Sequence, residues 1–299
     1  MAIVTPALVS ALFTGWKNDF KRGLGGVEPK WSKIATEVKS TTKSNTYGWL
    51  GKFPKFREWI GDRVLKSMEA HGYTITNKKY ESTVEVERDD IEDDEVGIYS
   101  PLFEEMGRAS EEHPDELVFG LLAQGDSTLC HDGQNFFDLD HPVNTEHDGS
   151  GTDVSVANLT DGTEPAWYLL DTTRALKPLI LQNRRAPNLQ SMTKLDDEHV
   201  FTTDKFRFGV DCRRSVGFGF WQLAHCSKAE LNADNLWAVI QKMRAVEGDG
   251  GKKLGIRPNL LVVRPSLEKT ATRLLERELD ANSSNELKGR VELLVADYL

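Results

Sequence analysis

RDDIEDDEVGIYSPLFEEMGRASEEHPDELVFGLLAQG, residues 88–125, carries the strongest helical period in the chain. Ile98, Leu102, Met106 and Ala109 recur at steps of three and four, with Tyr99, Phe103, Leu117, Val118, Leu121 and Leu122 beside them. Pro101 behind Ser100 and Pro114 behind His113 both suit a first helical position, with acids in the turn that follows. The spacing predicts one kinked helix, or two nearly collinear ones, over 100–124, closed by Gly125. Such a rod is about 37 Å long at about 1.5 Å per residue. One face is apolar and the other densely acidic, the build of a beam on which other elements pack.

Charge separates the chain into blocks. Residues 1–80 hold 14 Lys/Arg against 6 Asp/Glu, residues 81–164 hold 2 against 24, and residues 165–299 hold 21 against 17. A monomer can solvate such blocks. They also suit a basic segment of one molecule lying over an acidic beam of its neighbour, which steers assembly and fixes register. The 299 residues are 39% hydrophobic, enough for a substantial core in one large or two smaller domains. No run approaches the roughly 20 apolar residues of a membrane span. The apolar start, Ile3 to Phe13, has no basic residue before it and reads as mature sequence. Cys130, Cys212 and Cys226 are odd in number with no paired spacing, consistent with a reducing cytoplasm.

Outward from the beam, residues 1–45 give a short amphipathic segment (Val9, Leu12, Phe13, Trp16), a Gly/Pro loop and a Ser/Thr/Lys-rich run. Little core is available there, so an arm that orders against something else is expected. In 46–63, Tyr47, Trp49, Phe53, Phe56 and Trp59 stand among basic residues that include Arg57 and Arg63. That composition suits base stacking or a protein interface. Val84 and Val86 then alternate with Glu85 and Glu87, the period of a one-sided strand. Together, 46–88 read as a long two-stranded excursion with too little core to stand without a partner. Beyond the beam, 126–165 read as short strands and surface loops, and 166–226 as long strands of one sheet. The remainder has α/β texture: a helix through Ala245, the strand 259–263, a helix after Pro265 and a closing strand at 291–295.

No residues converge on catalysis. His131, Asp132, Asp138, Asp140 and His141 cluster in HDGQNFFDLDHPV, but their spacing matches no zinc or calcium loop, and a turn-rich surface loop is expected. Cys212, His225 and Cys226 lie in strand-like apolar sequence, where structural cysteines are the rule. GDGGKK at 248–253 fails as a phosphate loop: Val246 stands where the first Gly is required and Lys253 where Ser or Thr is. No GxSxG, HExxH or dinucleotide fingerprint is present. No catalytic residue, cofactor or metal is therefore expected. A nucleic-acid-binding protein using 46–63 is the alternative, disfavoured by the net charge of −10. A hydrolase built on His141 lacks a nucleophile and an oxyanion element.

Ten blocks taken together resemble one family: VTPALVSAL, SNTYGWLGKFP, REWIGDR, MEAHGYTITNKKYE, RDDIEDDEVGIYSPLFEEMGR, HPDELVF, DGQNFFDLDHPV, KPLILQ, GFGFWQ and PNLLVVRPSLE. The chain resembles the major head subunit (gpT) of Mu-like phages and prophages over nearly its whole length. The resemblance implies an α+β chain with the Hong Kong 97-type capsid fold: N-terminal arm, extended loop, peripheral domain with a long spine helix, and axial α/β domain. It further implies self-assembly into hexamers and pentamers of an icosahedral shell around double-stranded DNA, in the virion, after assembly in the bacterial host cytoplasm. Implied partners are a separate scaffolding protein, a portal, a maturation protease and a decoration protein, with no membrane.

On that frame we expect the arm at 1–45, the extended loop at 46–88, the peripheral domain at 89–143 and 166–229, a connecting loop at 144–165 and the axial domain at 230–299. Strand-rich 166–226 precedes the axial-like part, so a circularly permuted segment order is expected. Candidates for intersubunit contact are Trp49, Phe53, Arg57, Trp59 and Arg63 in the loop and Asp90, Glu92, Asp93 and Asp94 before the spine.

Overall fold

The structure is a computed structural model that describes residues 4–48, 50, 72–93, 96–146, 150–194, 196–277, 279–280 and 283–299. It begins with a 20-residue helix, α1 (Pro6–Gly25), for which Thr5 is the cap: its Oγ1 accepts from the Leu8 N–H at 3.2 Å. Four strands follow: β1 (Ala35–Lys39), β2 (Ser44–Tyr47), β3 (Tyr73–Thr76) and β4 (Lys78–Glu87). A short α2 (Arg88–Glu92) then leads to the beam, α3 (Ser100–Ala123). The beam is one continuous helix of 24 residues with Pro114 inside it, not a pair of helices.

Its buried side differs from the expected stripe. Phe103, Met106, Gly107, Pro114, Val118, Phe119 and Leu122 are buried, whereas Ile98 and Leu102 are 62% and 44% exposed. Nor are all its acids solvated. Buried Asp115 accepts from the Lys30 and Trp31 N–H groups at 3.0 and 2.6 Å, and so fastens the chain that leaves α1.

The arm orders on its own chain. Val9, Trp16 and Phe20 of α1 are buried against α3, and Trp16 stacks on Phe103 with ring centres 4.9 Å apart. Two glycines let the helices cross closely: a Cβ at Gly107 would lie 2.1 Å from the Phe20 carbonyl oxygen, and one at Gly23 1.9 Å from that of Glu104. Arg22 closes the crossing with a 2.7 Å ion pair to Glu104. Gly107→Ala should therefore force α1 off α3 and cost about 1–3 kcal/mol in chemical denaturation. Gly120→Ala, on the same helix with open space around it, should be neutral or slightly stabilising.

After α3 come β5 (His141–Asn144), β6 (Asp153–Val156), β7 (Leu159–Thr160) and β8 (Trp167–Leu170). Two 14-residue strands, β9 (Leu179–Met192) and β10 (Lys205–Phe218), flank α4 (Glu198–Thr203). The chain ends with β11 (Ala224–Ser227), α5 (Ala233–Ala245), β12 (Leu260–Val263), α6 (Pro265–Glu276) and β13 (Glu292–Val295). Two main sheets result, one of four strands in the order β1-β9-β10-β4 and one of five in the order β13-β12-β8-β11-β7.

The five-stranded sheet is buried on both faces. Trp167, Leu169, Leu261 and Val263 point into a core shared with α5 and α6, while Tyr168, Leu170, Leu260 and Val262 point into a core shared with Val118, Phe119 and Leu122 of α3. At the other end of α3, Phe103 and Met106 join α1, β4 and β10 in a third core. The beam thus belongs to two cores at once, which ties the two sheets together.

Three segment expectations need correction. Residues 78–87 are not the returning strand of a 46–88 hairpin: β4 pairs antiparallel with β10, from Lys78↔Arg214 to Glu87↔Lys205. Val84 and Val86 face the core between that sheet and α1, which makes the sheet a better partner than a projecting strand. Residues 144–165 are not merely a connecting loop, because β5 pairs with β6 and β7 pairs with β11. The five-stranded sheet also takes strands from both sides of the boundary expected at 229/230. Apolar WYLL at 167–170 needs neighbours on either side and finds them in β12 and β11. The axial-like segment 230–295 is completed by β8 and β11, which precede it in the chain, with the β9–β10 hairpin inserted between those two strands.

Candidate assembly interface

The strands flanking the part of the expected extended loop that lies outside the described residues are held by one another and by β9. β2 and β3 pair antiparallel from Ser44↔Thr76 to Tyr47↔Tyr73. Beneath them, fully buried Gln182 of β9 accepts from the Tyr47 hydroxyl at 2.8 Å and donates to the Ile75 carbonyl at 3.1 Å and Asn77 Oδ1 at 2.8 Å. Asn77 in turn donates to Ser40 Oγ at 2.9 Å and the Thr42 carbonyl at 3.0 Å. The Tyr73 hydroxyl accepts from the Phe218 N–H at 3.0 Å. Gly217 leaves room for this stem, since a Cβ there would lie 2.2 Å from Ile75 Cδ1. Burial raises the Tyr47 and Tyr73 hydroxyl pKa values, so both stay neutral donors or acceptors. Gln182→Ala would orphan several buried polar groups at once, and a loss of about 2–3 kcal/mol is expected in urea denaturation.

Trp49, Phe53, Arg57, Trp59, Arg63 and Asp94 lie outside the described residues. The acidic candidates are placed. Half-buried Asp90 accepts from the Tyr99 hydroxyl, which burial and that carboxylate push up to about 12. Glu92 is held by Arg88 at 3.1 Å, and Arg88 reaches Asp204 at 3.4 Å. Asp90 and Glu92 are thus engaged within the chain, whereas Asp93 is exposed.

Sequence patterning missed a groove of about 250 Å³ between α3 and the β4–β10 pair. Met106, Ala109, Pro187 and Val210 give it apolar walls, and Glu81, Glu116 and Asp211 give it acids. Tyr80 meets His113 edge-on at 4.3 Å inside it, and burial together with Arg214 lowers His113 to about 4, leaving it neutral at pH 7. The pairing that creates this groove joins residues more than a hundred positions apart, so no local period reports it. An apolar slot with acidic walls suits aromatic side chains flanked by cations.

The surface loop expected at 131–143 is instead drawn inside. Phe136 and Phe137 are buried under the five-stranded sheet, and Asp132 and His141 follow them in. His141, fully buried, stacks on Trp221 with ring centres 4.0 Å apart. Its Nδ1 lies 2.7 Å from Asp132 Oδ2 and its Nε2 3.2 Å from Asn158 Oδ1. Asn158 is fixed by donating to the Phe136 and Trp221 carbonyls at 2.8 and 3.3 Å, so its oxygen faces the imidazole. The Cys130 thiol donates to Asp132 Oδ1 at 2.9 Å. Burial pushes the Asp132 carboxyl up, but the hydrogen bonds from His141 and Cys130 outweigh it and hold it at about 2.

Cys130, Asp132 and His141 thus converge as a candidate ligand set. Within the chain they bond to one another and to Asn158, which makes the arrangement a polar clamp on the loop. Asp138 serves the same loop, accepting from the Asn135 and Leu139 N–H groups at 3.2 and 2.7 Å, while Asp140 stays exposed. His225 bonds Thr160 Oγ1 at 2.8 Å, and burial, with Lys242 adding, lowers it to about 3; burial raises Cys226 to about 12. Neither has the reactivity of a nucleophile and base.

Comparison with known proteins agrees with this architecture. The family described as Mu-like prophage major head subunit gpT matches residues 9–299. The chain is similar to the major capsid protein of Escherichia phage Mu, at 53% identity over 304 residues that cover 99% of this chain and 100% of the relative. It superposes on a chain of the procapsid of bacteriophage JBD30 with a TM-score of 0.86 and 53% identity, covering 99% of this chain and 100% of that one. A chain of the JBD30 capsid decorated with minor capsid protein trimers superposes with a TM-score of 0.77 and 40% identity, covering 100% of both. With these matches and an arm, a loop stem, a spine-like helix and two sheets in hand, the chain belongs to the Mu-like prophage major head subunit (gpT) family.

Proposed function

We propose that this head subunit closes its shell by laying the aromatic and basic loop of one copy over the acidic α3–β4 surface of the next. The observation that carries this is the groove of about 250 Å³ with apolar walls and acidic side chains. It complements a loop that holds Trp49, Phe53, Trp59, Arg57 and Arg63 and springs from a buried, hydrogen-bonded base. The shell reading carries with it hexamers and pentamers of an icosahedral head, packaged double-stranded DNA without base-specific contacts, and a role that is structural and not enzymatic. A separate scaffolding protein, a portal and a maturation protease act with the subunit during assembly. Decoration by trimers, as in the JBD30 capsid, extends the proposal to the finished head. The subunit's place is the virion shell, and among the described residues no helix is long and apolar enough to cross a membrane.

Electron microscopy of the purified chain, alone and co-expressed with its scaffold, tests the reading. Closed shells of uniform size are expected. A small monodisperse species with affinity for nucleic acid would favour the nucleic-acid-binding alternative instead.

A further inference from the structure

Two neighbouring rows across the four-stranded sheet carry cations and no acid. β10 shifts register against β9 on either side of Arg213, the kind of bulge that re-aims a side chain. In the first row Arg213 stands opposite Lys79 of β4 and Arg185 of β9. In the second, Lys39, Asn183, Arg214 and Lys78 align across all four strands. Arg214 is buried on the α3 side, where Glu111 and His113 lie near it. Arg213 therefore faces the other side of the sheet, together with Lys79 and Arg185. Its Nε is buried there with no hydrogen-bond partner among the described residues, and neither Arg213 nor Lys79 has an ion pair among them. Like charges directly opposite one another destabilise a sheet, so this row is incomplete as it stands.

We propose that the Lys79–Arg213–Arg185 row binds a phosphate-type oxyanion. The neighbouring acids do not fill that place. Asp211 is paired with Arg185, Glu81 accepts from the Thr83 hydroxyl at 2.7 Å, and Glu37, at the β1 edge, accepts from Asn183 at 3.1 Å. Exposed Arg184 adds a cation beside the row and reaches the Ser40 carbonyl at 3.5 Å. With Arg185 and Asp211 cancelling, Lys79, Arg184 and Arg213 outnumber Glu81 by two. A dianion offsets that excess, and its oxygen edges match the fork of a guanidinium. The attraction is local to the row, since the chain as a whole carries −10. This site is independent of the loop on α3 and of whether the subunit closes into shells.

Thermal melting of the full chain, as inorganic phosphate replaces chloride at constant ionic strength, tests this. A rise of about 2–4 °C at saturation is expected. Arg213→Gln should abolish the rise. In chloride the same variant should melt at or above the unmodified chain, because it removes a repulsion, whereas an arginine with a purely structural role would melt lower in both salts. Arg108→Gln, on α3 and away from the row, should keep the full response, which separates binding from the general stabilising action of phosphate. A short DNA duplex that binds the unmodified chain, is displaced by phosphate and ignores Arg213→Gln would assign the oxyanion to a nucleic-acid backbone. Phosphate response without duplex binding would assign it to the free ion. No rise in phosphate, or an equal rise in the unmodified chain and Arg213→Gln, would overturn the proposal and leave the head-subunit reading, which is read from shells, standing.

Discussion

Trp59→Ala and Arg63→Glu are each expected to give folded subunits that no longer close into shells. The two side chains belong to a segment with five large aromatics in 18 residues and almost no other apolar residue of its own. Its stem is held by Tyr47, Gln182 and Asn77, so the fold does not depend on what the loop tip touches. Truncating an interface aromatic or reversing an interface Arg costs about 2 kcal/mol or more per contact. A closed shell repeats each contact in every subunit, and the loss multiplies. Circular dichroism and thermal melting should match the unmodified subunit, while velocity sedimentation should show only small species. Part of the attraction is between a basic block and an acidic one, so assembly of the unmodified subunit should weaken as salt rises. Normal shells from both variants would remove the loop from the interface.

Breaking the Asp132–His141 pair has the second large expected effect. Asp132→Ala leaves a fully buried imidazole facing an empty site, and removing one partner of a buried pair costs about 3–5 kcal/mol. The pH dependence follows from Asp132, which its partners hold at about 2 in the fold. A depressed carboxyl contributes stability that is complete above its unfolded value of about 3.9 and is lost as pH falls through the folded value. About 2–3 kcal/mol should therefore disappear between about pH 4 and pH 2 in the unmodified chain, and this component should be absent from Asp132→Asn. Denaturant midpoints measured across that range check it. His141→Ala should change thermal stability and nothing else. Stoichiometric zinc in the purified chain, lost in that variant, would replace the clamp with a metal site.

The beam was legible because a helix announces itself locally: its period, its prolines and its acids all lie within 38 consecutive residues. The long β9 and β10 strands were legible in the same way. What escaped was whatever depends on a distant partner. Gly23 and Gly107 add nothing to a hydrophobic period, yet they let α1 reach α3, so that the arm expected to order against something else does so on its own chain's spine. The alternation in β4 reported a strand but not its pairing with β10, and the groove beside α3 exists only because of that pairing. Ile98 and Leu102 fit the helical stripe and nevertheless face outward, since period gives a face only to within a residue or two when Phe103 and Met106 compete for it. The clamp of Asp132 and His141 looked like loop chemistry because both residues are polar. The buried pair Phe136 and Phe137 between them was the signal that this loop turns inward.

In a shell closed as proposed, the segment 50–71 of each subunit acts on a neighbour and not on its own subunit. A reconstruction of assembled shells at side-chain detail tests it most directly. The expected result is that Trp59 and Arg63 of one subunit lie over the α3–β4 groove of the next, within reach of its Glu81 and Glu116. A loop folded back on its own subunit, with that groove open to solvent in the closed shell, would remove the loop from the interface.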